Sequence, residues 1–283
     1  MDYLPPAEMV EALVEAGAKK ARLPVRDLLV RGALSGGILG IATTLAVTAT
    51  AQTGMGIVGA LIFPVGFVMI VLLQLELVTG SFAVLPMAVL EHRASMGGML
   101  RNFGWGFIGN LIGALIYAAL FAATLTTCFS APPTGIADKI VALTEAKTLA
   151  YASHGAAGML TAFIKAALCN WMVCLGVVMA TLSRSTVSKV LAAWLPITIF
   201  FGLGFEHAVV NMFLIPCGML LGAKTSVADW WLWNQIPVTL GNLCGGFLFT
   251  GLALYVTYAA RGREAANDSK VTGAAPLAPI SAG

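Results

Sequence analysis

Two uninterrupted apolar stretches, 57–90 and 189–222, leave this chain few ways to fold. Each holds about 34 residues, or ~50 Å of straight α-helix, whereas the hydrocarbon core of a bilayer is ~30 Å thick. A helix tilt of about 20° does not absorb that difference. Each stretch also carries polar residues near its middle, Glu76-Leu77-Val78-Thr79-Gly80 in one and Gly204-Phe205-Glu206-His207 in the other. Both are therefore expected to be broken helices, with the non-helical backbone shielded inside the protein where its polar groups find partners.

The rest of the chain agrees with a membrane protein. Only 10% of its 283 residues are charged, against about a quarter in a soluble domain. Apolar runs predict spans at 32–53, 57–90, 104–127, 158–182, 189–222 and 236–260. With six crossings, Lys19, Lys20, Arg22, Arg26, Arg31, Arg93, Arg101, Arg184, Lys189, Arg261, Arg263 and Lys270 share one side. Lys139, Lys147, Lys165 and Lys224 fall on the other. That asymmetry predicts a multi-pass protein of a bacterial cytoplasmic (inner) membrane with both termini in the cytoplasm. The first thirty residues hold several charges and no apolar signal core, so no cleavable leader is expected. A net charge of +3 gives no reason to expect a nucleic-acid partner.

The spans also repeat. Gly109-Asn110-Leu111-Ile112-Gly113 returns as Gly241-Asn242-Leu243-Cys244-Gly245, an offset of 132 that also pairs Pro64 with Pro196 and Asn102 with Asn234. Three spans per half is odd, so the halves, about 32–127 and 158–260, are expected to be inverted relative to one another. Glycines four apart, as in Gly32, Gly36 and Gly40, predict close helix packing. Ahead of the transport domain (32–260), the segment 1–31 contains a short amphipathic helix near 5–20. Its Met9, Ala12, Leu13 and Ala16 face one way and Glu8, Glu11 and Glu15 another, which reads as an anchor against the protein or lipid, with a lid as the alternative. Residues 261–283, rich in Ala, Gly, Pro and Ser, read as a disordered cytoplasmic tail. The five cysteines lack metal-site spacing and read as small packing residues.

Chemistry concentrates at the breaks. His207 is the one histidine inside a span, and an ionisable group at membrane depth is a functional candidate. Glu206 and Glu76 are expected to support the broken helices by accepting from free backbone N–H groups. Thr79 is expected either to meet a ligand or to cap a half-helix starting near Gly80. A bare anion in a dry constriction faces a Born cost of tens of kcal/mol. Protonating a carboxylate of pKa near 4 at pH 7 costs only ~4 kcal/mol. Histidine titrates near neutrality and can supply that proton, so passage as a near-neutral acid is favoured. Lys165 is a candidate to attract the anion, or a snorkelling lysine.

Four separated motifs carry a resemblance that runs in order from about residue 5 to 260. They are Gly204-Phe205-Glu206-His207-Ala208-Val209-Val210-Asn211-Met212, Leu168-Cys169-Asn170-Trp171-Met172-Val173-Cys174-Leu175, Glu76-Leu77-Val78-Thr79-Gly80, and Ile236-Pro237-Val238-Thr239-Leu240-Gly241-Asn242. Together they resemble the signatures of the formate/nitrite transporter family. The resemblance implies an all-α, aquaporin-like six-span bundle, a homopentamer, and a substrate pore in each protomer. It implies a channel or carrier for formate, not an enzyme, with no cofactor or metal. It makes His207 the proton-exchanging residue and Thr79 its pore partner. Asn170 and Asn242 would line the pore; Asn211 would join Glu76 and Glu206 in supporting the breaks. Leu77 and Phe200 would form a cytoplasmic constriction, and Phe63, Phe67 and Val173 an outer one. Val78 stands where the family often has Phe, and Gly80-Ser81-Phe82 where it has Gly-Asn-Asn. For the family's outer lysine, Lys147 and His154 both stay open.

Nitrite, hydrosulfide, lactate or acetate would suit the same kind of pore. A haem-bearing redox subunit would usually need two intramembrane histidines on facing helices. A neutral-solute pore would usually show paired Asn-Pro-Ala boxes, and the chain has none.

Overall fold

Helices form wherever the apolar runs lie and continue past them into polar turns. A computed structural model describes residues 3–259. The region 261–283 lies outside the described residues, as do Arg261, Arg263 and Lys270. In chain order the elements are α1 (Pro6–Ala21), α2 (Val25–Thr53), α3 (Gly56–Ile62), α4 (Pro64–Leu72), α5 (Val78–Leu90) and α6 (Met96–Leu125). They continue with α7 (Ala137–Lys147), α8 (Leu149–Ala152), α9 (Gly155–Thr181), α10 (Thr186–Gly202) and α11 (Ala208–Leu220). Last comes α12 (Val227–Ala259), which includes π-helical turns. Helix α2 begins at Val25, well before the apolar run at 32, because a charged first turn suits a helix end even where it would not suit lipid. Its Asp27 pairs with Arg31 at 3.1 Å.

Among the described residues, α2, α6, α9 and α12 are long and apolar enough to cross a membrane unaided. The remaining two crossings are made in pieces, α3–α4 with α5, and α10 with α11. The result is an all-helical, aquaporin-like six-span bundle with two broken helices and inverted three-span repeats.

Both breaks use one device. Helix α4 is capped by Leu73, Gln74 turns to φ 52°, and the chain runs extended to Leu77 (φ −113°, ψ 113°) before α5. Helix α10 is capped by Leu203, Gly204 turns to φ 64°, and the chain runs extended to His207 (φ −120°, ψ 119°) before α11. Each helix end closes with a bond five residues back, from Leu75 N–H to Ile70 O and from Phe205 N–H to Phe200 O. This is the Schellman pattern, in which a left-handed residue follows the last helical one. Glycine adopts that conformation freely, whereas Gln74 does so at a steric cost.

Small residues bring the paired helices close in both halves. A Cβ on Gly113 would overlap the Ala33 carbonyl, and one on Gly245 would overlap the Ala167 carbonyl. So α6 lies on α2 as α12 lies on α9. Helix α1 buries Met9, Val10, Leu13, Val14 and Gly17, a stripe set slightly later than Met9, Ala12, Leu13 and Ala16. Gly17 sits against the Val84 carbonyl of α5, so α1 is seated on protein. Arg93 fastens it by pairing with Glu11 and, at 2.6 Å, with Glu15. The hydrogen bond to Glu11 holds the Arg93 guanidinium above its ordinary pKa.

Candidate functional site

The extended residue before each half-helix leaves backbone N–H groups with no helical partner. At the first break, Asn110 of α6 takes the Val78 N–H on its Oδ1 at 3.0 Å. Its Nδ2 donates to the carbonyls of Glu76 (2.8 Å) and Gly32 (2.9 Å). At the second break, Asn242 takes the Ala208 N–H at 2.9 Å and donates to the carbonyls of Glu206 (3.0 Å) and Ala166 (2.8 Å). Each asparagine thus satisfies three backbone groups, which spends its amide on the frame. Asn242 is therefore a strut of the break, its side-chain amide committed to backbone groups.

The glutamates follow a different rule from the one expected. Glu76 accepts no backbone N–H among the described residues; its carboxylate meets Lys20 of α1 at 2.8 Å. Glu206 meets Lys147 at the end of α7 at 2.8 Å, and accepts from Tyr151 Oη and Asn211 Nδ2, each at 2.8 Å. Asn102 donates to the Lys20 carbonyl and Asn234 to the Lys147 carbonyl, completing the correspondence. Of the two open candidates, Lys147 is the one whose side chain meets a break residue, Glu206. Asn211 supports the break through Glu206 and Asn234.

His207 stands at the second break, buried, with its ring in two hydrogen bonds. Its Nδ1 accepts the Val210 N–H at 3.2 Å, capping α11. A neutral ring that accepts on Nδ1 carries its proton on Nε2. That atom lies 3.0 Å from Thr79 Oγ1, so the imidazole donates to the hydroxyl. Thr79 leaves its own proton free to point elsewhere. The residue before α5 is Leu77 and makes no side-chain cap, so Thr79 does not cap a half-helix. Asn170 of α9 fixes Thr79 from behind, donating to the Thr79 carbonyl at 3.0 Å and the Asn242 carbonyl at 2.7 Å. Its Oδ1 is buried and without a partner among the described residues.

The His207 ring lies along Phe200 (centroids 5.7 Å, planes 22° apart). Phe200 meets the edge of Phe63 at 5.7 Å, and Phe63 stacks on Phe201 at 4.0 Å. Above these rings opens a cavity of about 610 Å³ whose wall includes Phe200, Phe201, Phe205, Leu143, Lys139 and Lys147, with His207 at its floor. Phe200 shares this cavity with Lys139 and Lys147, the end of the bundle away from α1. It meets Phe63 at this cavity, so the structure groups it with Phe63. Phe67 packs on Gly176 of α9 and Val173 is buried in the same core, while Leu77 is buried at the first break. Lys165 lies on α9 and is not in the cavity wall. The sequence reading missed Lys139 as a lining residue, although Lys139, Leu143 and Lys147 at four-residue spacing on one helix would have shown it.

Comparison with known proteins places this geometry. A family model described as formate/nitrite transporter matches residues 7–256. A probable formate transporter of Methanothermobacter thermautotrophicus is 36% identical, the match covering 89% of this chain and 96% of the relative. An uncharacterized transporter, YrhG, of Bacillus subtilis is 33% identical over 93% of this chain and 97% of the relative. The formate channel FocA of Escherichia coli is 29% identical over 91% of this chain and 95% of the relative. Among solved structures, an FNT family ion channel superposes with a TM-score of 0.74 at 26% identity, covering 88% of this chain and 98% of that one. A pentameric formate channel with formate bound gives 0.67 at 26% identity, covering 83% and 98%.

Proposed function

The chain belongs to the formate/nitrite transporter family, and from that premise we propose that it passes formate through a pore in which His207 exchanges a proton with the anion. The carrying observation is the 3.0 Å approach of His207 Nε2 to Thr79 Oγ1, which joins the two breaks at one buried point. A proton on Nε2 faces the place where a passing carboxylate would displace or share the hydroxyl. Formate entering from the cavity would meet a ring that has taken a second proton from the water-filled side, accept the Nε2 proton from that imidazolium, and cross the apolar layer at Phe200 as a near-neutral acid, leaving the ring neutral. This exchanges a Born cost of tens of kcal/mol for a protonation cost of ~4 kcal/mol. Protonating the ring further at Nδ1 would break the cap on Val210, which favours the neutral ring as the resting state.

Formate is the ion named for the relatives FocA and the formate-bound pentamer. By the same analogy we propose a homopentamer with one pore per protomer, in a bacterial inner membrane with both termini cytoplasmic. The basic-residue asymmetry supports that orientation. The N-terminal segment to residue 31 is proposed to anchor the bundle, and 32–127 and 158–260 to form its inverted halves.

The test is uptake of radiolabelled formate into proteoliposomes by the wild type and by His207→Asn. Asparagine can hydrogen-bond but exchanges no proton near neutral pH. Flux should fall at least about tenfold, the size of a lost general acid–base step. Unchanged flux would end the proton-exchange reading.

A further inference from the structure

We propose that the outer cavity is a binding site for a monoanion with an aromatic body, of the arylsulfonate or arylcarboxylate class, which it holds over Phe200 and does not pass. The blocking part of this statement rests on the pore reading above; the binding part does not.

Size is the first argument. About 610 Å³ lies within the ~300–1,000 Å³ of pockets that enclose drug-sized ligands, far more than a one-carbon ion fills. The wall chemistry is the second. Phe200, Phe201, Phe205 and Leu143 present rings and branched carbon to the space, surfaces that favour an aromatic body by burial and by edge-to-face contact. Charge is the third argument. Two cations face the cavity from one side of α7, Lys139 and Lys147. Lys147 is spent on Glu206 at 2.8 Å, a carboxylate that is itself buried, so that pair sums to no net charge. Lys139 has no carboxylate within ion-pair distance among the described residues. Glu145 of the same helix is turned to the Lys224 backbone N–H at 2.9 Å. One uncompensated positive charge at the rim of an apolar cavity selects a ligand with one negative head.

The floor explains retention. Phe63, Phe200 and His207 touch ring against ring, with centroids 5.7 Å apart. Nothing passes between them unless they separate, and a ring-sized body needs a far wider separation than a one-carbon ion. The cavity would thus admit the larger anion and stop it there.

The probe is p-toluenesulfonate, a permanent anion that His207 cannot neutralise, with benzyl alcohol and benzyltrimethylammonium as neutral and cationic counterparts. Binding to the purified full chain is measured by equilibrium dialysis at low ionic strength. Saturable binding is expected for the sulfonate alone. Its affinity should drop at least about tenfold in Lys139→Gln, the size of one charge-assisted contact. Lys165→Gln, outside the cavity wall, should leave it intact. Lys139 is exposed, so its replacement leaves the fold standing. Equal sulfonate binding by wild type and Lys139→Gln would overturn the site, and so would equal saturable binding of the alcohol. In proteoliposomes the sulfonate should inhibit formate uptake in the wild type. Uptake without sulfonate reports on the pore reading separately: absent flux with intact, Lys139-dependent binding overturns that reading and the block, and leaves the site standing.

Discussion

Leu77 and His207 occupy equivalent places, each the extended residue immediately before a half-helix, at φ −113°, ψ 113° and φ −120°, ψ 119°. One symmetric frame therefore carries an inert side chain on one side and an imidazole on the other. Helix α11 gains a cap from this difference and α5 does not. His207→Leu would make the second break resemble the first. The lost cap should lower stability by about 1 kcal/mol, while formate flux falls at least about tenfold. Thermal unfolding in detergent, measured beside liposome flux, separates the two effects. A collapse of stability to match the flux would assign His207 a mainly structural role.

Thr79 accepts the Nε2 proton of His207 and keeps its own proton free. Thr79→Val preserves shape but leaves a buried N–H without an acceptor, a penalty of ~1–3 kcal/mol. Flux should drop and its pH dependence should change, whereas Thr79→Ser should restore both. A valine variant with wild-type flux across pH would show that the hydroxyl plays no part.

Glu206 gathers Lys147, Tyr151 and Asn211 around one buried carboxylate. Breaking a buried pair by removing one partner typically costs ~3–5 kcal/mol, since the other charge is stranded. Glu206→Gln and Lys147→Met should each lower the unfolding midpoint in detergent sharply. The double variant should recover part of the loss, because no charge is left unpaired. Strictly additive losses would show that the pair is uncoupled.

Asn110 and Asn242 each bond three backbone groups. Alanine at either position should destabilise by several kcal/mol, at ~1–3 kcal/mol for each buried group left unmet. The flux defect should be larger for Asn242→Ala, because that strut positions the residue next to His207. Equal flux loss in the two variants would place the transport step elsewhere.

Gly17 sets α1 directly on the Val84 carbonyl. Gly17→Leu should lift α1 and open the Lys20–Glu76 pair. Protease cleavage within α1 should then rise severalfold over the wild type. Unaltered cleavage would mean that α1 is held by Arg93 and its glutamates alone.

Much of the fold was legible because the bilayer sets a length. A 34-residue apolar run cannot cross straight, so both breaks followed from counting, and His207 stood out as the histidine inside a span. Gly204 even marked its own turn, whereas Gln74 gave no sign, since glutamine is not a residue that usually turns to positive φ. The single offset of 132 joined Asn110 to Asn242 but set the breaks two positions out of register. Val78 lies 32 residues before its asparagine and Ala208 lies 34 before its own.

The sequence by itself determined that the chain spans a membrane, that two of its helices break, and that one break holds an ionisable ring. Those conclusions depend on composition and length along one dimension. Only the tertiary structure decided what each polar group does there. It paired Lys147 with Glu206 across 59 positions and brought Thr79 to His207 across 128. It also set Phe200 beside Phe63 at the cavity and made Asn242 a strut. Hydrogen bonds act over about 3 Å, and no pattern along the chain reports which distant residues come within that distance once helices pack.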